Sequence, residues 1–309
     1  MGEADTELAA IGYDAPMLGQ RLFYGTLMVL ALGIVLVLDH QLESASGMPM
    51  VVVFAVLLGL TARELSAIFR AKGVHCNTAM AMAGSVVGFV AMYAITFVGS
   101  SPHGVQTLVS IVLVTFLIAL GGHGLWQRRI DGAATGAAAT LFMLVYLGLT
   151  PGFYACLRFS RSGWVIASLI LVTKFADSGA YFTGRLLGRH KLIPFLSPGK
   201  TWEGLFGGIL SAAIAAVVAA WVLNQTGQAG LWQEAQWIQR EFDYASAAVG
   251  GAVLGLAGQG GDLVASLLKR DAGIKDSGRL IPGFGGLLDV VDSPIGAAPV
   301  AYWLLVLAT

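Results

Sequence analysis

Charged residues are scarce in this sequence: Asp, Glu, Lys and Arg make up 12% of its 309 residues, and the formal net charge is zero. Soluble domains carry roughly a quarter charged residues, so the composition argues against an ordinary soluble domain. Without an excess of basic residues, nothing indicates binding to nucleic acid. Two scattered cysteines, Cys76 and Cys156, exclude a disulfide framework or a CxxC metal site.

Long segments have no charged residue at all, namely 73–127, 132–157, 204–233, 244–261 and 293–309. A helix needs about 20 apolar residues to cross the hydrocarbon core of a bilayer, and runs this continuous favour helices over barrel strands. The pattern predicts an all-α, polytopic transmembrane bundle of about nine helices. Their predicted positions are 22–38, 48–62, 79–98, 105–121, 136–152, 163–183, 204–224, 244–261 and 295–308.

The distribution of Lys and Arg predicts the orientation of this bundle. With the N-terminus in the cytoplasm and the C-terminus outside, fourteen of the eighteen Lys and Arg residues lie in cytoplasmic segments. We therefore expect a polar tail over 1–20, an N-terminal bundle over 21–160 and a catalytic region over 161–309. The cytosolic loops of that region are predicted at 184–203 and 262–294.

One predicted membrane helix carries ionisable side chains along a single face. Lys174, Asp177, Tyr181 and Arg185 are spaced so that they align on one side of a helix. Ionisable groups inside a membrane are costly and usually mark a functional site. A Lys174–Asp177 ion pair that only ties helices together is the alternative.

A second group of charges lies near the end of the chain. Asp262, Ser266, Lys269 and Arg270 share one helix face at a membrane boundary, and a glycine-rich turn then leads back to Asp289 and Asp292. Converging carboxylates among cations suit Mg²⁺ and phosphate, because Mg²⁺ takes one or two protein carboxylates and fills its other positions with phosphate and water. The alternative is a solvated charged loop.

The segment "SPGKTWEG" contains Gly199-Lys200-Thr201, which ends like a phosphate-binding P-loop. The first glycine of that motif is missing, because Pro194 stands in its place, and no strand is predicted before it. Lys200 still supplies a cation on the predicted cytosolic side. Thr201 and Glu203 predict the start of a helix near Trp202.

Taken together, these segments resemble the phosphatidate cytidylyltransferases, also called CDP-diacylglycerol synthases. That family carries the signature S-x-x-K-R-x4-K-D-x-G-x2-[LI]-P-G-H-G-G-[LI]-x-D-R-x-D. "ADSGAYFTGRLLGRHKL" and "SPGKTWEG" also resemble family segments, and the specific resemblance covers about 174–293. The residues that match the signature include Ser266, Lys269, Arg270, Lys275, Asp276, Pro282, Gly283, Gly285, Gly286, Asp289 and Asp292.

The resemblance implies that CTP and phosphatidate react to give CDP-diacylglycerol and pyrophosphate, with Mg²⁺ as cofactor. It also implies an integral protein of the bacterial inner membrane whose active site faces the cytoplasm, with a homodimer as one option for its assembly. Asp262 and Asp289 would hold the metal. The expected catalytic residues are Asp177, Lys269, Arg270, Lys275 and Asp276, and the expected binding residues around them are Lys174, Lys200, Ser266, Gly285 and Gly286.

The sequence departs from the signature at two positions, because Phe284 replaces the usual His and Val290 replaces the usual Arg. A lipid phosphate is already ionised near neutral pH, since its second pKa is about 6, so the transfer needs no general base. Three other interpretations stay open: a CTP-dependent kinase for polyprenol or phytol, a transporter that uses Lys174 and Asp177 as a relay, and an inactive scaffolding relative.

Overall fold

The computed structural model describes residues 15–41, 47–98, 102–126, 130–233, 236–238, 241–278, 280–283 and 285–307. This part of the chain is an α-helical bundle with two short hairpins. Its helices are α1 (Ala15–Gln41), α2 (Met48–Ala71), α3 (Thr78–Val98), α4 (Pro102–Trp126), α5 (Ala133–Met143), α6 (Thr150–Ser160), α7 (Gly163–Leu187), α8 (Trp202–Gln225), α9 (Tyr244–Asp271) and α10 (Leu287–Leu307). A π-helical turn, Leu144–Leu149, joins α5 to α6 in one continuous segment.

Nine helical segments of the described chain are long and apolar enough to cross a membrane, and each coincides with a predicted span. The all-α polytopic fold is therefore confirmed, and the protein is an integral membrane protein. The orientation of the termini stays a prediction. The first fourteen residues of the predicted polar tail lie outside the described residues, and residues 15–20 belong to α1.

The helices near the charged segments extend beyond their predicted spans. Helix α9 continues to Asp271, and α10 begins at Leu287, before the span predicted at 295–308. The loop predicted at 262–294 is therefore confined to about 272–286. The prediction placed the ends where charge appears, but a helix satisfies its own backbone and can continue past the hydrocarbon into water.

Polar side chains mark where the helices of the C-terminal half begin. Ser162 caps α7, and Asp243 caps α9 by accepting a hydrogen bond from the Ser246 amide. The hydroxyl of Thr201 accepts a hydrogen bond of 3.1 Å from the Gly204 amide at the start of α8. The predicted helix start beside Trp202 is confirmed, because the cap satisfies an amide that the helix itself leaves unpaired.

Helices α7, α8, α9 and α10 pack closely through small residues. A Cβ atom on Gly251 would lie 2.4 Å from the Cβ of Ala216, and one on Gly255 would lie 2.6 Å from the Cβ of Ala212. Any larger side chain at these glycines would push α9 away from α8, which is why small residues repeat at this spacing. The glycines of "GGAVLGLAGQGGD" thus fix the distance between helices that carry the polar side chains described below.

The core joins the two halves of the chain. One buried cluster combines Met50 of α2 and Tyr154 of α6 with Ile166 of α7, Leu254 of α9 and Ala297 of α10. Strands β1 (Lys191–Ile193) and β2 (Ser197–Thr201) form an antiparallel hairpin between α7 and α8. Strands β3 (Leu231–Gln233) and β4 (Gln236–Ile238) form a second antiparallel hairpin, between α8 and α9. The first hairpin closes one side of the cavity that contains the predicted site.

Candidate active site

A cavity of about 610 Å³ opens between α7, the first hairpin, α8, α9 and α10. Polar side chains from all three of the sequence segments singled out above line it. They are Asp177, Tyr181 and Arg185 of α7, Ser197, Lys200 and Thr201 of β2, Gln259 and Asp262 of α9, and Asp289, Asp292 and Ser293 of α10. The fold therefore brings together residues that are more than a hundred positions apart in sequence.

The charged face of α7 forms one wall of the cavity, as its spacing predicts. The Lys174 Nζ atom lies 3.0 Å from Asp177 Oδ2, and the Arg185 guanidinium donates a hydrogen bond of 2.9 Å to the Tyr181 hydroxyl. Asp177 also accepts hydrogen bonds from Gln259 of α9, at 3.3 Å, and from Ser293 of α10, at 2.8 Å. Asp177 thus faces the polar cavity, whereas Lys174, which is not among the described residues that line it, lies one turn earlier on α7 and pairs with Asp177 from there.

Asp262 and Asp292 place two carboxylates in the same part of the cavity wall. Asp262 lies on α9 and Asp292 on α10, where the two helices pack so closely that a Cβ atom on Gly261 would lie 2.5 Å from the Asp292 carbonyl oxygen. Lys200 Nζ lies 2.8 Å from Asp262, and Lys174 Nζ lies 3.9 Å from Asp292. Adjacent carboxylates repel each other unless they share a proton or a cation. This part of the cavity wall therefore carries two acidic side chains, with one lysine beside each of them.

Asp289 lies at the edge of the same cavity but is fully engaged with protein donors. Its Oδ2 atom accepts hydrogen bonds of 2.9 Å from the Ser277 amide, the Ser277 hydroxyl and the Gly286 amide. Its Oδ1 atom lies 2.5 Å from the Nζ of Lys269, which is itself buried. These contacts fasten the glycine-rich turn to α9 and α10, and they occupy both oxygens of the carboxylate.

The other predicted residues lie around the turn rather than in the cavity. Arg270, Lys275 and Asp276 are exposed, and they are not among the described residues that line the cavity. Arg270 donates a 3.5 Å hydrogen bond to the carbonyl of Ile274, and Ser266 is half-buried on α9. These side chains could contact substrate phosphates only if the phosphates extended out of the cavity or the turn moved toward it.

The turn itself explains three of the signature glycines. Gly283 and Gly285 have φ angles of 83° and 95°, a conformation that residues with a Cβ atom rarely adopt. Gly286 is buried, and a Cβ atom there would lie 2.0 Å from the Ser277 hydroxyl oxygen. The predicted binding residues Gly285 and Gly286 thus shape the backbone beside Asp289. Phe284 and Arg279 lie outside the described residues, and Val290 is half-buried.

Sequence reasoning missed several residues of the site. Gln259 and Ser293 hold Asp177, and both are buried polar side chains. Asp292 matches the signature, but it was not predicted as a site residue. In the structure it lines the cavity together with Asp262. Glu64 of α2 reaches the turn from the N-terminal half of the chain. The available signals were a glutamine inside a predicted span, for Gln259, and a carboxylate just past the end of a predicted span, for Glu64.

The described residues contain no group of three or more His, Cys, Asp and Glu side chains that could hold a metal ion. A site for zinc, which takes three or four such ligands, therefore has no support in this part of the chain. The Asp262–Asp292 pair offers a different donor set, two carboxylates beside a polar cavity. Mg²⁺ is typically bound in this way, with phosphate and water filling its other positions.

Comparison with known proteins shows the family of the chain. The sequence model of the cytidylyltransferase family matches residues 19–308 of the chain. The chain belongs to the cytidylyltransferase family. This match includes the N-terminal half, where the sequence motifs alone gave no specific resemblance. It also spans α7 to α10, which carry the cavity.

Several bacterial members of the family are similar to the chain over part of its length. This chain is 43% identical over 126 residues to the phosphatidate cytidylyltransferase of Haemophilus influenzae, and the match covers 40% of this chain and 39% of that protein. It is 37% identical over 172 residues to the phosphatidate cytidylyltransferase of Mycobacterium leprae, covering 55% and 50%. The uncharacterized protein YnbB of Escherichia coli is 37% identical over 198 residues, covering 63% and 60%. The matches thus span about half the length of these relatives.

Proposed function

We propose that the protein is a phosphatidate cytidylyltransferase, which converts CTP and phosphatidate to CDP-diacylglycerol and pyrophosphate. The observation that carries the proposal is the cavity that Asp262, Asp292 and Lys200 line, with Lys174 beside it, 3.9 Å from Asp292. The names of the similar proteins from Haemophilus influenzae and Mycobacterium leprae support it. The enzyme would be an integral protein of the bacterial inner membrane with this cavity open to the cytoplasm, and the homodimer stays a prediction.

The reaction forms one bond and breaks one. A phosphate oxygen of phosphatidate attacks the α-phosphorus of CTP, and the bond from that phosphorus to the oxygen bridging to the β-phosphate breaks. The leaving pyrophosphate keeps the electron pair. Because the attacking phosphate is largely dianionic at neutral pH, no side chain has to remove a proton from it.

What the protein has to supply is alignment of two anionic substrates and neutralisation of their charge. Lys200 and Lys174 are each held by a carboxylate in this structure, and each would turn to phosphate oxygens when substrates enter. Arg185 lies further along the same cavity wall. A charge-assisted hydrogen bond to phosphate contributes about 1.5–3 kcal/mol, so two or three such cations suffice for a substantial gain in binding.

Mg²⁺ is proposed to be held by Asp262 and Asp292. Their carboxylates lie in the same part of the cavity wall, whereas both oxygens of Asp289 already accept hydrogen bonds or an ion pair from the protein. The metal would supply charge neutralisation on the triphosphate and orient its α-phosphorus. The role of Asp289 as a metal ligand stays a prediction from the sequence, and the structure favours Asp292 in its place.

The proposal is tested with purified protein in detergent, phosphatidate, Mg²⁺ and CTP labelled in the cytosine ring. We expect label to enter the organic phase and pyrophosphate to appear in equal amount. Asp271→Asn is the matched control for Asp262→Asn, because Asp271 is exposed on the same helix and pairs with Lys72 away from the cavity. Lipid-soluble label that Asp262→Asn leaves unchanged would contradict the assignment of the site.

A further inference from the structure

Glu64 connects the N-terminal half of the chain to the signature turn. It lies on α2, in the part of the sequence that carries none of the motifs described above. Its side chain is half-buried and points at the first turn of α10, more than two hundred residues later in the chain.

The Glu64 carboxylate accepts three hydrogen bonds there. Its Oε1 atom accepts from the Leu287 amide at 2.9 Å, and its Oε2 atom accepts from the Leu288 amide at 3.0 Å and from the Ser277 hydroxyl at 3.2 Å. The first amides of a helix have no partner within the helix, and the N-terminal end of a helix favours a negative charge. Glu64 therefore acts as the cap of α10, supplied from a distant part of the sequence.

The turn is built around this carboxylate. A Cβ atom on Gly286 would lie 2.5 Å from Glu64 Oε2, and one on Gly278 would lie 3.0 Å from Glu64 Oε1. Ser277 contacts Glu64 and Asp289 with the same hydroxyl, which has one hydrogen to share between them. The carboxylates of Glu64 and Asp289 thus both hold the turn through Ser277, and glycines at 278 and 286 leave the room that this requires.

We propose that Glu64 is a positioning residue of the active site. By fixing the start of α10 it sets the height and rotation of that helix, which carries Asp289 in its first turn and Asp292 one turn later. Asp289 then pairs with Lys269 of α9, and Asp292 lines the cavity together with Asp262. The proposal rests on the proposed function for its catalytic consequence, whereas the contact between Glu64 and the turn is independent of it.

The contact is tested by hydrogen exchange of the amides of residues 277–288 in wild-type protein, Glu64→Ala and Glu64→Gln. Glu64→Ala removes both acceptors, so the Leu287 and Leu288 amides should exchange at least tenfold faster. Glutamine keeps one acceptor oxygen but turns an NH₂ group toward an amide donor, so it should be intermediate. Arg63→Gln, at the exposed neighbouring position, is the matched control and should leave these rates unchanged.

Unchanged exchange in both Glu64 variants would overturn the proposal. If Glu64→Ala does not fold, Glu64→Gln decides alone, because it keeps the size and one acceptor of the native side chain. This readout needs no catalytic activity, so its failure is distinguishable from a failure of the proposed cytidylyltransferase function.

The positioning role has a second, kinetic test. Below the unfolding temperature of each variant, the Mg²⁺ concentration that gives half-maximal activity should rise about fivefold or more in Glu64→Gln and further in Glu64→Ala. A residue that only supports the fold would lower the thermal midpoint and leave this concentration unchanged in the folded fraction. That result would show that Glu64 only stabilises the fold, and it would overturn the positioning role.

Discussion

Asp262 of α9 and Asp292 of α10 line the same cavity from neighbouring helices. Lys200 contacts the first and Lys174 approaches the second, so the pair has a cation on either side. A protein that placed a half-buried and a buried carboxylate together for stability alone would incur the cost of their repulsion. The arrangement is instead suited to a divalent cation and the phosphates that accompany it.

Replacing either member of this pair should abolish most of the activity. Asp262→Asn and Asp292→Asn keep the side-chain size but remove a charged ligand, and we expect each to lower kcat by roughly a thousandfold or more. The measurement is the initial rate of CDP-diacylglycerol formation. Asp271→Asn should stay within about threefold of the wild-type rate, and equal damage at all three positions would show that only bulk charge matters.

Asp289→Asn should behave differently, because it disturbs structure as well as activity. The amide would keep one acceptor for Ser277 and Gly286 but leave the buried Lys269 ammonium without its carboxylate. Removing one partner of a buried ion pair costs roughly 3–5 kcal/mol. We expect a clearly lowered midpoint in thermal unfolding, and a thermal midpoint equal to that of Asp292→Asn would contradict this division of roles.

These expectations show where the sequence was informative. Uncharged stretches predicted eight of the nine membrane segments, because hydrocarbon excludes charge over a length that a helix sets, and the ninth, which carries Lys174 and Asp177, was predicted from its otherwise apolar length. The face of Lys174 and Asp177 was predictable from helical spacing. Asp292 was underrated because its approach to Asp262 depends on how α9 and α10 pack. Glu64 was missed because its partners are mainly backbone amides, which leave no pattern in side-chain spacing.

The positions of the signature cations were the hardest part of the site to predict from the sequence. Arg270 and Lys275 match the family signature, yet both are exposed beside the cavity rather than in its wall. Their distance from the carboxylates depends on the path of the turn at about 272–286. A glycine-rich sequence permits several such paths, so spacing alone does not fix where long side chains end.

Phe284, which lies outside the described residues, provides a test of the base-free mechanism. Phe284→His should change kcat by less than about tenfold, and it should add no new pKa near 6.5 to the pH–rate profile. The rate should instead fall below about pH 6, where the phosphate dianion of phosphatidate gains a proton, becomes a monoanion and is a weaker nucleophile. A thousandfold gain with a histidine-like titration would mean that the transfer needs a base.

The predicted orientation is tested by labelling single cysteines in intact cells. Lys275→Cys, at an exposed position of the signature turn, should react only with a reagent that reaches the cytoplasm. Thr309→Cys, beyond the described residues, should react with a reagent that cannot cross the membrane. The reverse pattern would separate the cavity from cytoplasmic CTP and contradict the orientation.

The most direct test of the proposed reaction follows two phosphates of CTP separately. CTP labelled at the α-phosphorus or at the γ-phosphorus is incubated with the wild-type protein, Mg²⁺ and either phosphatidate or a polyprenol. Cytidylyl transfer predicts that only the α-label enters the lipid, only with phosphatidate, and that Asp292→Asn loses the transfer. Entry of the γ-label into polyprenol would show a lipid kinase, and no lipid label at all from active, folded preparations would contradict an enzyme of either kind.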